Sequence, residues 1–348
     1  MDSAGMSTES GTNASDSTKE LRSIAGIVVP ALLLVLILLL SLFGNVAVIF
    51  AILKTPSLRE KTCNIFLINL SLTDLMNATL VMFSALVSLI ADRWPFGMYW
   101  CYAQCAFNYW FIIVSMLTLA MISIDGYFAV VHPLRYINII TPKVTKIGIC
   151  YAWCQGCVFA LIPAIYGWVV YDYWEVVCAI DWDSYSQDGA LTYVIVAFVA
   201  CFLAPTCVVV FCYLRIWRAV RRSAASVPEV CRSADRKKQD ARVIYSLAVV
   251  IVVYFICMGP FCITKVWKIC LGTSSLPDYL NLSASWFAYV GNATNPFIYG
   301  IFRSDFRRAF VNLICRKERI HPSPTRSMAH QGACLSQLSV GGVRLTPV

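Results

Sequence analysis

Charged residues are scarce in this sequence. Asp, Glu, Lys and Arg make up only 14% of its 348 residues, whereas 59% of the residues are hydrophobic and the mean hydropathy is +0.69. A soluble domain normally carries about 25% charged residues, because its surface must be hydrated. The scarcity of charge therefore excludes one or two soluble domains and predicts a membrane protein.

Uninterrupted apolar stretches locate the membrane segments. A hydrocarbon core of about 30 Å requires roughly 20 apolar residues in a helix. Seven stretches are long enough, and Asp74 is the only acid inside any of them. In order, they are 23–53, 61–91, 94–124, 147–171, 189–214, 243–264 and 279–302. The sequence therefore predicts an all-α membrane protein, a bundle of seven helices that we number 1 to 7 in this order.

Three further absences narrow the class of protein. Residues 1–22 contain no apolar segment of the kind that a cleavable signal peptide needs, so we expect the first helix to serve as the membrane signal. The two halves of the chain show no internal repeat, which argues against most transporters. The connecting segments are too short for a soluble catalytic domain, so the protein is not expected to be an enzyme.

The distribution of basic residues predicts the orientation. With the N-terminus outside, 23 of the 28 Lys and Arg residues lie in cytoplasmic segments and five lie in outer segments. The positive-inside rule therefore favours an extracellular N-terminus and a cytoplasmic C-terminus. Anionic lipids and a cytoplasmic partner account for the basic charge, so no nucleic-acid partner is expected.

Short motifs occur in each predicted helix and in a consistent order. They are Gly44-Asn45, Asn69 to Asp74, Cys101, Asp125-Gly126-Tyr127, Trp153, Pro205 with Tyr213, Cys257-Met258-Gly259-Pro260, and Asn295-Pro296-Phe297-Ile298-Tyr299. This ordered set resembles the rhodopsin-like (class A) G-protein-coupled receptors over residues 24–315. The resemblance implies a plasma-membrane receptor that transmits an extracellular ligand of unknown type to a heterotrimeric G protein or arrestin.

An acid inside a membrane helix is a candidate functional residue, because a charge at mid-bilayer costs several kcal/mol unless its surroundings are polar. The resemblance groups Asp74 with Asn45, Ser115, Asn292 and Asn295. These oxygens would suit Na⁺, and no other cofactor is expected. The alternative is a neutral, protonated Asp74 in a structural hydrogen-bond network.

The resemblance also implies a disulfide between Cys101 at the start of helix 3 and Cys178 in the long outer loop. The extracellular side is oxidising, so this bond would tie the loop over the bundle. Asn13 is the one Asn-x-Ser/Thr acceptor on an exposed tail, and we predict its glycosylation.

The ligand pocket is expected among the outer halves of helices 3, 5, 6 and 7. Trp286 and Tyr289 resemble residues of the amine receptors of the family, but those receptors carry Asp where Asn108 stands, so no ammonium counter-ion is expected. Opsins carry the retinal-binding Lys where Tyr289 stands, so no retinal Schiff base is expected. Lys265 could meet an acidic group or extend to the membrane interface. The predicted lining residues are Gln104, Asn108, Phe111, Ile112, Met258, Phe261, Lys265, Trp286 and Tyr289.

The inner end of helix 3 departs from the family pattern. Where the family has Asp/Glu-Arg-Tyr, this chain reads Asp125-Gly126-Tyr127. The family's arginine pairs with the adjacent acid and with an acid of helix 6, so Asp125 and Asp240 are expected to lose that partner. We therefore predict weakened coupling. The residues assigned to coupling and switching are Asp125, Gly126, Tyr127, Tyr213, Asp240 and Tyr299.

The pattern divides the chain into four regions. These are an extracellular tail (1–22), a seven-helix receptor domain (23–302), a short amphipathic eighth helix on the membrane surface (303–315), and a disordered cytoplasmic tail (316–348). Cys315 is a candidate for palmitoylation.

Two alternatives remain open. One is a receptor-shaped protein that binds a ligand or a partner receptor without signalling, and Gly126 is the feature that favours it. The other is a channel or transporter, which would need a second ionisable residue within the membrane helices.

Overall fold

The computed structural model describes residues 22–181, 189–226 and 234–315. Within these ranges the chain forms eight principal helices, which we again number in chain order. They are helix 1 (Ile24–Lys54), helix 2 (Cys63–Ala91), helix 3 (Gly97–Val131), helix 4 (Pro142–Ile165), helix 5 (190–226), helix 6 (Ala234–Leu271), helix 7 (Asp278–Phe302) and helix 8 (Ser304–Cys315). Short helical segments at Pro56–Arg59, Pro133–Ile139 and Thr273–Ser275 connect them.

Six helices in the described part of the chain, helices 1 to 6, are long and apolar enough to cross a membrane. Helix 7 is less apolar than these six, because it carries a row of Asn, Ser and Thr residues. It nevertheless packs against helices 1 and 6, and Asn281, Ser285 and Asn295 on it are buried. The predicted seven-helix bundle is therefore confirmed, with helix 7 turning its polar residues inward.

The sequence prediction was wrong at the outer ends of helices 4 and 6. Helix 4 ends at Ile165, and the chain turns at Gly167 (φ 71°) before a strand begins at Val169. Helix 6 continues past Thr264 to Leu271, beyond the lysines at which the charge-free stretch stops. Acids of the outer loop neutralise those lysines, so the helix can continue.

The outer loop forms a β-hairpin that lies over the bundle. Strands β1 (Val169–Asp172) and β2 (Val177–Ile180) are antiparallel, with Tyr171 opposite Cys178. The predicted disulfide joins Cys178 to Cys101, with 5.4 Å between their Cα atoms. Every residue of β2 is buried, so the hairpin is part of the packed interior.

The helices that carry the motif prolines Pro205, Pro260 and Pro296 are irregular or closely packed near them. A π-helical turn at Val199–Leu203 immediately precedes Pro205, and Pro260 and Pro296 lie inside helices 6 and 7. The structure accounts for glycine at position 44, because a Cβ atom there would lie 2.8 Å from Cγ of Pro296. Only glycine lets helices 1 and 7 approach this closely.

Helix 8 follows helix 7 after one residue, Arg303. Phe306 and Ala309 are buried in the apolar core at the inner end of the bundle, and Phe310 packs against that core. Arg303 is buried and donates to Asp305 at 2.8 Å, and Lys61 approaches the same carboxylate at 3.0 Å. Burial alone would raise the pKa of Asp305, but these cations lower it to about 2.

Two predicted modification sites cannot be placed. Asn13 lies outside the described residues, and so does the side chain of Cys315, although its backbone closes helix 8.

Candidate ligand-binding and signalling site

Two neighbouring cavities lie beneath the loop hairpin. The smaller cavity, of about 20 Å³, is bounded by helices 2, 3, 6 and 7, and the larger cavity, of about 260 Å³, is bounded by helices 3, 5 and 6. They share a wall at Ile112, Met258 and Phe261. The predicted ligand-binding residues that line one or both cavities are Asn108, Phe111, Ile112, Met258, Phe261, Lys265 and Tyr289.

Two of the predicted ligand-binding residues line neither cavity. Gln104 is buried, and its Oε1 accepts a hydrogen bond from the backbone N–H of Cys178 at 2.7 Å. Trp286 packs into the apolar cluster that contains Phe111 and Tyr289. The turn after helix 4 brings strand β2 within reach of helix 3. The hydrogen bond from Cys178 to Gln104 then holds the hairpin in position.

The smaller cavity contains most of the predicted cation cluster. Asp74, Ser115 and Asn292 line its wall, and the Nδ2 atom of Asn295 donates to Asp74 at 2.9 Å. Asn45 does not line this cavity, but it donates to the backbone oxygen of Asn292, which does, at 3.0 Å. The cluster is thus assembled from helices 1, 2, 3 and 7.

Other motif residues hold these helices in register. Asn69 donates to the hydroxyl of Thr118 at 2.8 Å and accepts from Nε1 of Trp153 at 2.8 Å. Asn292 donates to Oδ1 of Asn77 at 3.0 Å. Helices 2, 3, 4 and 7 are therefore joined by hydrogen bonds through their buried interior.

The hairpin turn and helix 6 form a charged cluster. The sequence analysis considered an acidic partner for Lys265, which the structure identifies as Glu175, but it did not predict the cluster as a whole. The cluster consists of Asp172, Glu175, Lys265 and Lys268. Nζ of Lys265 lies 2.6 Å from Glu175 Oε1, and Nζ of Lys268 lies 2.7 Å from Asp172 Oδ2 and 3.2 Å from Glu175 Oε2. Glu175 is only 2% exposed, and the hydroxyl of Ser285 also donates to it at 3.2 Å.

The electrostatics of the charged cluster favour the ionised form of Asp172. Burial would raise the pKa of Asp172, but the charge and hydrogen bond of Lys268 outweigh it, and the pKa lies below the ordinary value. One sequence signal could have placed the two lysines together, because Lys265 and Lys268 are three residues apart and share a helix face, but it does not identify their acidic partners. Lys265 and Lys268 lie beyond the predicted stretch 243–264 but within helix 6, so this helix carries ionisable residues that the predicted stretch did not include.

The inner end of helix 3 also has a partner that the sequence did not reveal. The sequence analysis expected Asp125 to lose the arginine and named no other partner, whereas in the structure the hydroxyl of Tyr136 donates to it at 3.0 Å. Tyr127 contacts Nε2 of His132 at 3.1 Å. A Cβ atom at Gly126 would lie 3.7 Å from Ile216, an ordinary contact, so this position has room for a side chain.

The remaining switch residues lie near this end of the bundle. Tyr299 is buried and Tyr213 is half-buried, and both pack against the inner apolar core. The ring of Tyr299 lies 5.5 Å from that of Phe306 on helix 8. Asp240 belongs to helix 6, but its side chain is outside the described part of the chain.

Comparisons with known proteins agree with this arrangement. Residues 44–299 match the family model described as "7 transmembrane receptor (rhodopsin family)". The D(1A) dopamine receptor of Xenopus laevis is 30% identical over 319 residues, covering 80% of this chain and 70% of that receptor. Somatostatin receptor type 2 of Mus musculus is 27% identical over 312 residues, covering 87% and 82% of the two chains.

A solved structure has the same fold. The crystal structure of squid rhodopsin matches with a TM-score of 0.76 at 22% identity, covering 87% of this chain and 86% of that one. At this level of identity the match shows the fold alone.

Proposed function

Because the chain belongs to the rhodopsin family of seven-transmembrane receptors, we propose that it transmits the binding of an extracellular ligand to a heterotrimeric G protein or to arrestin, with weakened coupling. It is a multi-pass membrane receptor and not an enzyme. The basic charge of the connecting segments favours a plasma-membrane orientation with the N-terminus outside and the C-terminus in the cytoplasm.

One observation carries the proposal. The smaller cavity touches Val177 of the hairpin at one end and Asp74 at the other, and Met258 lies in its wall. A ligand that changes the packing around Met258 would therefore act on helix 6 two residues before Pro260, where the helix lacks an intrahelical hydrogen bond. A shift at this hinge would move the inner part of helix 6 relative to helix 3.

The amine ligand named in several relatives does not transfer to this chain. Asn108 offers an ammonium no counter-charge, and Glu175 and Asp172 already pair with Lys265 and Lys268. Binding an ammonium there would require breaking a buried ion pair, which is strongly unfavourable. We therefore propose a ligand without a cationic amine.

Asp74 and its neighbours fit a small hard cation. The carboxylate of Asp74, the hydroxyl of Ser115 and the side chain of Asn292 line one cavity of about 20 Å³. Carboxylate, hydroxyl and amide oxygens are hard ligands of the type that Na⁺ takes. Na⁺ bound there would supply charge compensation for Asp74 and would favour the arrangement in which helices 2, 3 and 7 remain close.

Weak coupling is supported by the inner end of helix 3. Gly126 offers no guanidinium to a cytoplasmic partner, and Asp125 is held by Tyr136. The same observation favours the second candidate function, a receptor-shaped protein that binds a ligand or a partner receptor without activating G proteins.

A panel of G-protein activation and arrestin recruitment assays separates the two candidates. The receptor is expressed beside a mock-transfected control at matched surface density. A basal or ligand-stimulated signal above the control in any of these assays supports the signalling receptor. The absence of a signal in every assay, together with normal surface expression, would contradict it and favour the non-signalling protein.

A further inference from the structure

The larger cavity differs chemically from the smaller one. Its wall is built from aliphatic and aromatic side chains, among them Ile112, Met116, Val194, Phe202 and Phe261. Lys265 is the only charged side chain among the described residues that line it. The occupant of such a cavity must therefore be largely apolar.

Lys265 does not make the cavity a site for anions. Its Nζ lies 2.6 Å from Glu175 Oε1 and 4.6 Å from the centre of the Phe261 ring. An anionic ligand would have to displace a carboxylate that is already buried beside this ammonium. The pair thus leaves no net charge to attract either a carboxylate or an ammonium, and an uncharged ligand is favoured.

Entry from the aqueous side is obstructed. Ile180 of strand β2 lines the larger cavity, and Cys178 of the same strand is tied to Cys101 by the disulfide. Glu175 and Lys268 are 2% and 1% exposed, respectively, and join the hairpin turn to helix 6. Water-soluble molecules would have to disrupt this packed cover.

The membrane side is open instead. An apolar side groove of about 410 Å³ shares Phe198, Phe202, Cys262 and Val266 with the larger cavity. It continues outward to Ile263, which is 62% exposed on helix 6. The groove therefore adjoins the cavity on the outward-facing side of helices 5 and 6, and the four shared side chains are all that separates the two.

We propose that the larger cavity binds an uncharged, predominantly hydrocarbon lipid that enters from the bilayer between helices 5 and 6. This inference rests on the proposed receptor function, because it names the chemical class of ligand that would press on the shared wall at Met258. The bilayer supplies such molecules at high local concentration, so a site without charged anchors can still be occupied.

Photolabelling of the purified receptor in lipid nanodiscs tests the site directly. The probe is a long-chain fatty alcohol that carries a diazirine and an alkyne, and mass spectrometry locates the cross-links. Ala197→Phe and Val194→Phe fill the cavity from helix 5, and Val210→Phe, exposed on the same helix, is the matched control. We expect saturable labelling of cavity residues that falls about tenfold in the filling variants, because the ring takes the volume that the chain needs. Labelling should be unchanged in Val210→Phe.

Two results would overturn the proposal. One is labelling spread over the lipid-facing surface and insensitive to both filling variants. The other is stronger labelling by the matching fatty-acid probe, which would mean that Lys265 recognises an anion. Both filling variants must keep the elution profile of the wild-type receptor, and two independent positions guard against misfolding of one. Occupancy is measured without signalling, so a receptor that binds the alcohol but activates no transducer would refute the coupling proposal and leave the lipid site intact.

Discussion

Nζ of Lys265 lies 2.6 Å from Oε1 of Glu175, although the two residues are 90 positions apart in the sequence. Lys265 belongs to helix 6, and Glu175 belongs to the turn of the loop hairpin. The contact therefore joins the cover of the ligand cavities to the helix whose movement the proposed function requires. This ion pair, and the one that Lys268 makes beside it, therefore join the hairpin turn to helix 6 directly.

The ion pair between Lys265 and Glu175 should contribute strongly to the stability of the folded receptor. Glu175→Gln leaves two buried lysines with less compensating charge, and breaking a buried ion pair costs about 3–5 kcal/mol. We expect a clear fall in the thermal unfolding temperature of the purified receptor. Lys61→Ala, which removes a partly exposed pair with Asp305, should cost less than about 1 kcal/mol. Equal losses in the two variants would mean that the buried cluster does not tie the hairpin to helix 6.

Asp172 should make stability depend on pH in the acid range. Its pKa in the folded receptor lies below the ordinary value of 3.8, so folding favours the ionised form. The resulting stabilisation is complete above that value and is lost as the pH falls toward the folded-state pKa. The wild type should therefore be more stable than Asp172→Asn at pH 5 to 7, and the difference should shrink below about pH 4. A difference that stays constant or grows down to pH 3 would contradict the pairing with Lys268.

The cation site can be tested by melting. Na⁺ should raise the unfolding temperature of the ligand-free receptor more than choline at equal ionic strength, because an ion that binds only the folded state stabilises it by mass action. Asp74→Asn should abolish the difference. Identical melting in both salts would favour the alternative, a protonated Asp74 hydrogen-bonded to Asn295.

Tyr136 should stabilise the inner end of helix 3. Tyr136→Phe removes the hydroxyl that donates to Asp125 and leaves a buried carboxylate without this hydrogen bond, at a cost of about 1–3 kcal/mol. Tyr151→Phe, exposed on helix 4, is the control and should hardly change the unfolding temperature. If both variants melt like the wild type, the Asp125–Tyr136 hydrogen bond contributes nothing in solution.

The sequence predicted the membrane helices, the disulfide and much of the cavity lining. Charge-free stretches locate the helices, and helical spacing from Asp125 places Asn108, Phe111 and Ile112 on one face. The disulfide was implied by the resemblance to the rhodopsin-like receptors. These features do not depend on the exact residues at which the helices end, so errors in the predicted helix ends leave them unchanged.

The charged cluster and the Tyr136 contact could not be predicted in the same way. Both depend on where a loop returns to the bundle, and no local pattern encodes that position. The turn at Gly167 and the disulfide at Cys178 bring Glu175 against helix 6. Lysines that ended a predicted span thereby became interior residues of a longer helix.

The central claim is that this is a signalling receptor whose coupling is weakened by Gly126. The most direct test is agonist-independent and agonist-driven G-protein activation by Gly126→Arg, measured at wild-type surface density. A Cβ atom at this position makes only an ordinary contact with Ile216, and an arginine there could pair with Asp125 in the resting state and contact the G protein when released.

Gly126→Ala is the matched control, because it adds the same Cβ and about 1 kcal/mol of helix propensity without the guanidinium. We predict lower basal activity and larger stimulated activation in Gly126→Arg, with Gly126→Ala signalling like the wild type. Basal and stimulated activation that are the same in Gly126→Arg as in the wild type, or changed equally in both variants, would contradict the claim.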